Sequence, residues 1–248
     1  MELQQFLKDH PRAAVAFSGG VDSAYLLYAA GKYGAQVKAY YVKTAFQPQF
    51  ELEDACRLAA ELGADMAVLE LDILCREAVT ENPADRCYHC KKELFSAIAE
   101  AAARDGYPVL LDGTNASDEE GDRPGMRALR ELQVLSPLRL CGLTKDDIRA
   151  RSREAGLFTH DKPAYACLAT RIPTGERITA EKLRRTEAAE GYLASLGLRD
   201  FRVRQQGNCA KLQVRQEQLQ LVLTRRTEIL RELKRDYDSV LLDLEVRP

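Results

Sequence analysis

Apolar positions along the first 155 residues fall into two alternating rhythms. Short solid runs, "AAVAF" at 13–17, "VKAYYV" at 37–42, "DMAVLEL" at 65–71 and "PVLLDGT" at 108–114, are too brief for helices and predict buried strands. Between them, apolar residues recur at helical spacing from Asp22 to Tyr33, in "FELEDACRLAAELG" up to Gly63, and in the Ala-rich "KKELFSAIAEAAARDG". Strands alternating with helices at this spacing predict an α/β domain, a mostly parallel sheet covered by helices on both faces. Ligands of such sheets sit beyond the carboxyl ends of the strands, where Ser18 to Ser23 would lie.

The rhythm changes near residue 161. "KPAYACLATRIPTGERIT" is too rich in Pro, Gly and Thr for a helix and long for a plain connection, which marks it as a functional loop. A helix over about 180–196 follows. Next come a hairpin "DFRVRQQGNCAKLQV" turning near Gly207-Asn208, a helical stretch to about Leu233, and a last strand "SVLLDLEV". The pattern predicts a first domain over 1–160 and a small α+β domain over 161–248.

Composition narrows the function. With 248 residues, 46% of them hydrophobic, the chain can bury a real core. Thirty-six basic against thirty-eight acidic residues, a net charge of −2, argue against a broad nucleic-acid surface. The N-terminus has no basic start followed by an apolar run, and no segment is long and apolar enough for a membrane span, which points to the cytoplasm. Seven cysteines, an odd number without an export signal, fit reduced thiols better than a disulfide framework.

"SGGVDS" is the first chemical signal. A strand that ends in Ser-Gly-Gly and feeds a helix leaves backbone N–H groups pointing at one spot with no Cβ in the way, at the positive end of the helix dipole. That is a phosphate seat, to which Ser18 and Ser23 add hydroxyls, while Asp22 and Ser23 can cap the helix. The plain alternative is an ordinary strand-to-helix turn with an Asp cap. The second signal is "RCYHCKK", which sets Cys87 and Cys90 at C-x-x-C spacing near a helix start. A metal pair, a redox dithiol and chance all fit that spacing, and a zinc site would need two more ligands from His89, His160 or Cys167. Cys167 lies in the unusual loop beside Arg171 and near Lys162, cations that favour a thiolate.

Taken together, "SGGVDS" resembles the pyrophosphate loop of the PP-loop ATP pyrophosphatase superfamily and not a Walker-type loop, since no G-x-x-x-x-G-K-[ST] occurs. The ordered set "AFSGGVDS", "RCYHCKK", "DGTNASDEEGDRPGMRA", "KPAYACLATRIPTGE" and "FRVR" resembles the sulfur-insertion enzymes of nickel-pincer nucleotide synthesis, the LarE family, over nearly the whole chain. The resemblance implies a PP-loop, adenine nucleotide alpha hydrolase-like fold. It also implies an ATP-dependent sulfur transferase that adenylylates a carboxylate of a pyridinium mononucleotide and replaces it with a thiocarboxylate, with magnesium on the phosphates. Ser18, Gly19, Gly20, Asp22 and Ser23 would bind ATP, with Asp112 near the nucleotide or its metal and Arg123 on a phosphate; Asp112 and Arg123 could equally be turn residues.

Members of this family use either one sacrificial cysteine or three cysteines around a 4Fe-4S cluster whose open iron carries sulfide from an external donor. Cys87, Cys90 and Cys167 would supply the three thiols, with Cys167 presenting sulfur. The resemblance further places Lys91, Arg171, Glu190, Arg202 and Arg204 around the substrate phosphate, and implies a homo-oligomer, a hexamer of two trimers. From spacing alone, Arg202 and Arg204 share one strand face, where solvated arginines are the alternative to a phosphate site. Cys56, Cys75, Cys141 and Cys209, and singly His10, His89 and His160, carry no assigned role. Competing functions are a tRNA or small-molecule thiolase, an amidating ligase with the same activation, and a nucleotide sensor without chemistry.

Overall fold

The computed structural model describes residues 1–118 and 124–247. The chain forms two compact units, Met1–Ile73 with Asp85–Lys162, and Leu74–Ala84 with Pro163–Pro248. In chain order the elements are α1 (Leu3–Asp9), β1 (Arg12–Ala16), α2 (Val21–Lys32), β2 (Gln36–Lys43), α3 (Gln49–Glu61), β3 (Met66–Glu70), α4 (Glu77–Thr80), α5 (Arg86–Arg104), β4 (Leu110–Leu111), α6 (Pro124–Glu131), α7 (Pro137–Leu140) and α8 (Lys145–Glu154). After the loop come α9 (Ala180–Ser195), β5 (Arg202–Gln206), β6 (Cys209–Gln213), α10 (Leu219–Thr224), α11 (Arg226–Leu233) and β7 (Ser239–Leu242). Among the described residues no helix is long and apolar enough to cross a membrane.

The first unit has a parallel sheet in the order β3-β2-β1-β4. Its central strand shows why such a strand reads as solidly apolar. Ala13 and Val15 enter a core with Phe6, Leu26 and Ile148, while Ala14 turns to the opposite face with Tyr40, Ile98 and Leu129. Both faces are covered, so the alternation of a half-exposed strand is absent. The PP-loop α/β fold is thereby realised.

In the second unit β5 and β6 form the antiparallel hairpin, turning at Gly207 with φ 58°, and β7 joins β6 in parallel. Ala189 and Leu193 of α9 and Ile229 and Leu233 of α11 bury the inner side chains Val203, Ala210 and Leu212.

The differences from the sequence pattern are local. Only Leu110 and Leu111 of "PVLLDGT" pair as a strand, because Asp112 and the residues after it turn toward Thr114 and Ser136. The helix α5 begins at Arg86, so Cys87 and Cys90 lie on the helix itself. The stretch before Leu233 breaks at Arg225 into α10 and α11.

Candidate active site

The loops that leave the carboxyl edge of the first unit's sheet include Phe17–Gly20 after β1, Thr44–Pro48 after β2, and Asp112 onward after β4. Gly19 takes φ +70°, and a Cβ there would stand 3.1 Å from Ala55 Cβ of α3. Only glycine meets both demands at low cost. Ser18 and Ser23 close the turn on themselves: Ser18 N–H donates to Ser23 Oγ at 3.2 Å, the two hydroxyls are 3.1 Å apart, and Ser23 Oγ donates to Gly20 O at 3.2 Å. No side chain caps α2, whose N-cap is Gly20. The expected capping by Asp22 or Ser23 does not form, because the hydroxyl is held by the turn and the carboxylate faces Lys145. The first-turn N–H groups therefore stay available to an anion.

Asp22 is the charged centre of this loop. Its Oδ2 accepts from Lys145 Nζ at 2.5 Å, whereas Oδ1 is buried with no hydrogen-bond partner. Burial pushes its pKa above the ordinary carboxylate value, and Lys145 pulls in the opposite direction. An orphaned, buried carboxylate oxygen beside a phosphate seat fits a magnesium ligand. Lys162 pairs its ammonium with Asp54 at 2.7 Å and donates to Gly19 O at 3.4 Å. Asp112 is buried and spends both oxygens on Ser136 Oγ, at 2.6 Å, and Thr114 Oγ1, at 2.5 Å. That is the turn role left open by the sequence. Arg123 lies outside the described residues.

Cys87 and Cys90 stand one turn apart at the start of α5, on one helix face. The Arg86 guanidinium lies 3.8 Å from Cys87 Sγ. His89 pairs with Asp85 at 3.4 Å. Lys91, on the same helix, packs its stem on Gly125 of α6. None of the seven cysteines is joined in a disulfide. Among the described residues no group of three or more His, Cys, Asp or Glu side chains is gathered as a metal site. Thiolate sulfurs of the kind offered by the Cys87–Cys90 pair on a helix and by Cys167 on a loop are donors that iron accepts.

That loop belongs to the second unit, where four of the expected residues meet. Arg171, fully buried, donates from Nε to Glu190 Oε1 at 2.8 Å and from Nη2 to Oε2 at 3.0 Å. Its Nη1 donates to Ala166 O, Cys167 O and Thr170 Oγ1. Burial disfavours its charge, but Glu190 outweighs burial and holds the pKa above the ordinary arginine value. Arg202 reaches Ala164 O at 2.7 Å, and Arg204 reaches Thr170 O at 2.8 Å and Gln213. Burial, and after it the neighbouring charges of Arg171 and Arg247, lower the pKa of both Arg202 and Arg204. Cations so placed are stabilised by an incoming anion, and Arg204 Nη2 makes no hydrogen bond among the described residues.

Residues 12–91 match the family of queuosine biosynthesis protein QueC. Over 243 residues, 96% of this chain and 87% of the relative, the sequence is 34% identical to the pyridinium-3,5-bisthiocarboxylic acid mononucleotide synthase of Lactiplantibacillus plantarum. The chain belongs to this synthase (LarE) family. It is an ATP-dependent sulfurtransferase with a PP-loop domain. An uncharacterized protein of Synechocystis is 38% identical over 88% of this chain and 82% of its own length. The tRNA-specific 2-thiouridylase MnmA of Thermotoga petrophila is 26% identical over 61% of this chain and 54% of its own.

Two further residues, given no role from the sequence alone, stand at the PP-loop. Lys145 opens α8 behind a capping box of Thr144 and Asp147, and "TKDD" carries that signal in the sequence. Gly113 has no such signal: a Cβ there would lie 2.8 Å from the backbone nitrogen of Ser23, so its need for glycine exists only in three dimensions.

Proposed function

We propose that this chain is a cytoplasmic pyridinium-3,5-bisthiocarboxylic acid mononucleotide synthase acting in nickel-pincer nucleotide formation. The observation that carries the reading is the uncapped, glycine-shaped turn Ser18–Ser23 in a chain that aligns with the Lactiplantibacillus plantarum synthase almost end to end. The first unit carries the ATP-activating turn, and the second carries Cys167, which presents the sulfur. Ser18, Gly19, Gly20 and Ser23 hold the pyrophosphate of ATP through backbone N–H groups and hydroxyls, with Asp112 shaping the adjoining turn. Asp22 would hold magnesium, which would offset the charge of the phosphates, and Lys145 neutralises the leaving pyrophosphate. A substrate carboxylate oxygen attacks the α-phosphorus, the α–β bridging bond breaks, and an acyl adenylate and pyrophosphate form. A sulfur nucleophile then adds to the acyl carbon and AMP leaves with the carboxylate oxygen. Arg202 and Arg204, with Lys91, hold the substrate's own phosphate.

Cys87, Cys90 and Cys167 would hold a 4Fe-4S cluster, which would supply an exchangeable sulfide. The resemblance that supports this reading also implies a homo-oligomer, a hexamer of two trimers, which sedimentation would test.

Anaerobic reconstitution tests the sulfur source. The expected result is about four irons per chain and several turnovers with added sulfide. Replacing Cys87, Cys90 or Cys167 with Ala abolishes both, while Cys56, Cys75, Cys141 and Cys209 are replaceable. Stoichiometric zinc without acid-labile sulfide rejects the cluster. So does metal-free active protein that loses about 34 Da at Cys167, one H₂S by β-elimination.

A further inference from the structure

Residues 162–167 form neither helix nor strand, and Pro163, Ala164 and Ala166 are exposed. A segment of this kind is held in one shape only where specific contacts offset the backbone entropy, about 1–2 kcal/mol per residue. Here the contacts can be named. The carbonyl of Ala164 is held by Arg202, and those of Ala166 and Cys167 by Arg171. Between these anchors Tyr165 turns inward. Its hydroxyl donates to Glu190 Oε2 at 2.6 Å, and its ring centroid lies 4.7 Å from the Arg171 guanidinium carbon and 5.3 Å from that of Arg202.

Glu190 is the common acceptor. Oε1 takes Arg171 Nε and the Val203 backbone N–H, and Oε2 takes Arg171 Nη2 and the tyrosine hydroxyl. Four donors fill the acceptor capacity of a carboxylate. A substrate could engage Glu190 or the inner edge of Arg171 only by displacing one of these partners. The two residues thus serve the loop's shape, and the loop's one inward wedge is Tyr165, two residues before the sulfur-bearing thiol.

We propose that Tyr165 is a positioning residue for Cys167: its ring against Arg171 and Arg202 and its hydroxyl on Glu190 fix the 163–167 loop in the single conformation that aims the Cys167 sulfur. The proposal rests on the reading of Cys167 as the sulfur-presenting residue. Phenylalanine at 165 keeps the ring contacts and loses the anchor on Glu190. Leucine loses both.

The test compares wild type, Tyr165→Phe and Tyr165→Leu as full-length, metal-free protein. Iodoacetamide labelling at fixed pH is read at each cysteine by peptide mass spectrometry, with melting curves alongside. Cys167 should label on the order of tenfold faster in Tyr165→Leu, the opening expected when a hydrogen bond to a charged group is lost together with its packing. Tyr165→Phe should fall between, with Cys141 and Cys209 labelling at wild-type rates. In reconstituted protein kcat of sulfur transfer should fall in the same order, with KM for ATP unchanged.

Equal Cys167 labelling in all three proteins overturns the proposal. So does acceleration shared by Cys209 together with a lowered melting temperature, which is general loosening of the unit. A separate variant isolates the underlying reading: sulfur transfer surviving Cys167→Ser rejects Cys167 as the sulfur carrier, while the labelling comparison still decides the clamp.

Discussion

Arg171 and Glu190 meet through two parallel hydrogen bonds, Nε to Oε1 at 2.8 Å and Nη2 to Oε2 at 3.0 Å, with the arginine side chain shut off from solvent. Removing one member leaves the other charge buried and uncompensated. Glu190→Gln should therefore lower the stability of the second unit by about 3–5 kcal/mol, read by urea denaturation. A denaturation midpoint equal to wild type would return Glu190 to a purely ligand-facing role.

The turn after β1 predicts an asymmetry between neighbouring glycines. Gly19→Ala combines a left-handed backbone with a 3.1 Å approach to Ala55, whereas a Cβ at Gly20 meets only Ser18 Oγ at 3.4 Å. Gly19→Ala should cost roughly 1–2 kcal/mol and suppress pyrophosphate release. Gly20→Ala should fold normally. Gly113→Ala should resemble Gly19→Ala, losing about 1–3 kcal/mol through overpacking, because its new methyl would meet the Ser23 backbone. Calorimetry with a pyrophosphate assay separates the three, and equal behaviour of Gly19→Ala and Gly20→Ala would count against the turn geometry.

Much of the first unit is legible in the sequence. "AAVAF" and "SGGVDS" specify a buried strand and an open turn because both depend on residue size and backbone freedom, properties written one residue at a time. The placement of Lys162 was not legible. Sequence sets it five residues from Cys167, but its ammonium goes to Asp54 and Gly19, a pairing made by the return of the chain to α3. Arg171 shows the same limit. A buried arginine and an exposed one are identical in sequence, and only the four-donor carboxylate of Glu190 distinguishes them.

Lys145 and Asp22 should share one pH profile. Asp22 must be ionised to hold a cation, and burial already raises its pKa. Lys145→Met removes the opposing pull, so the acid limb of pyrophosphate release should move to higher pH. The rate on the plateau should fall on the order of 10²–10³-fold, the effect of losing one donor to developing charge. An acid limb that stays in place would detach Asp22 from catalysis.

Asp243 offers a pH effect outside the site. Hydrogen bonds from Gln213 at 2.7 Å and then Lys211 at 2.9 Å hold its pKa down at about 2. A depressed acid pKa stabilises the fold above the unfolded value of 3.8 and loses that contribution as pH falls toward 2. Asp243→Asn should flatten the decline of melting temperature with acidification across that interval. An unchanged slope would remove Asp243 as its source.

Residues 74–84 belong to the second unit although 78 residues, 85–162, separate them from the rest of it. Ile178 N–H donates to Thr80 O at 2.7 Å, Gly175 N–H donates to Asn82 O at 2.8 Å, and the Asn82 amide donates to Pro173 O at 2.7 Å. During synthesis this stretch leaves the ribosome long before its partners exist. The first unit must then collapse around an excursion that stays open until the last third of the chain is made. No single cut can release the second unit intact, because its residues 74–84 and 163–248 flank residues 85–162 of the first.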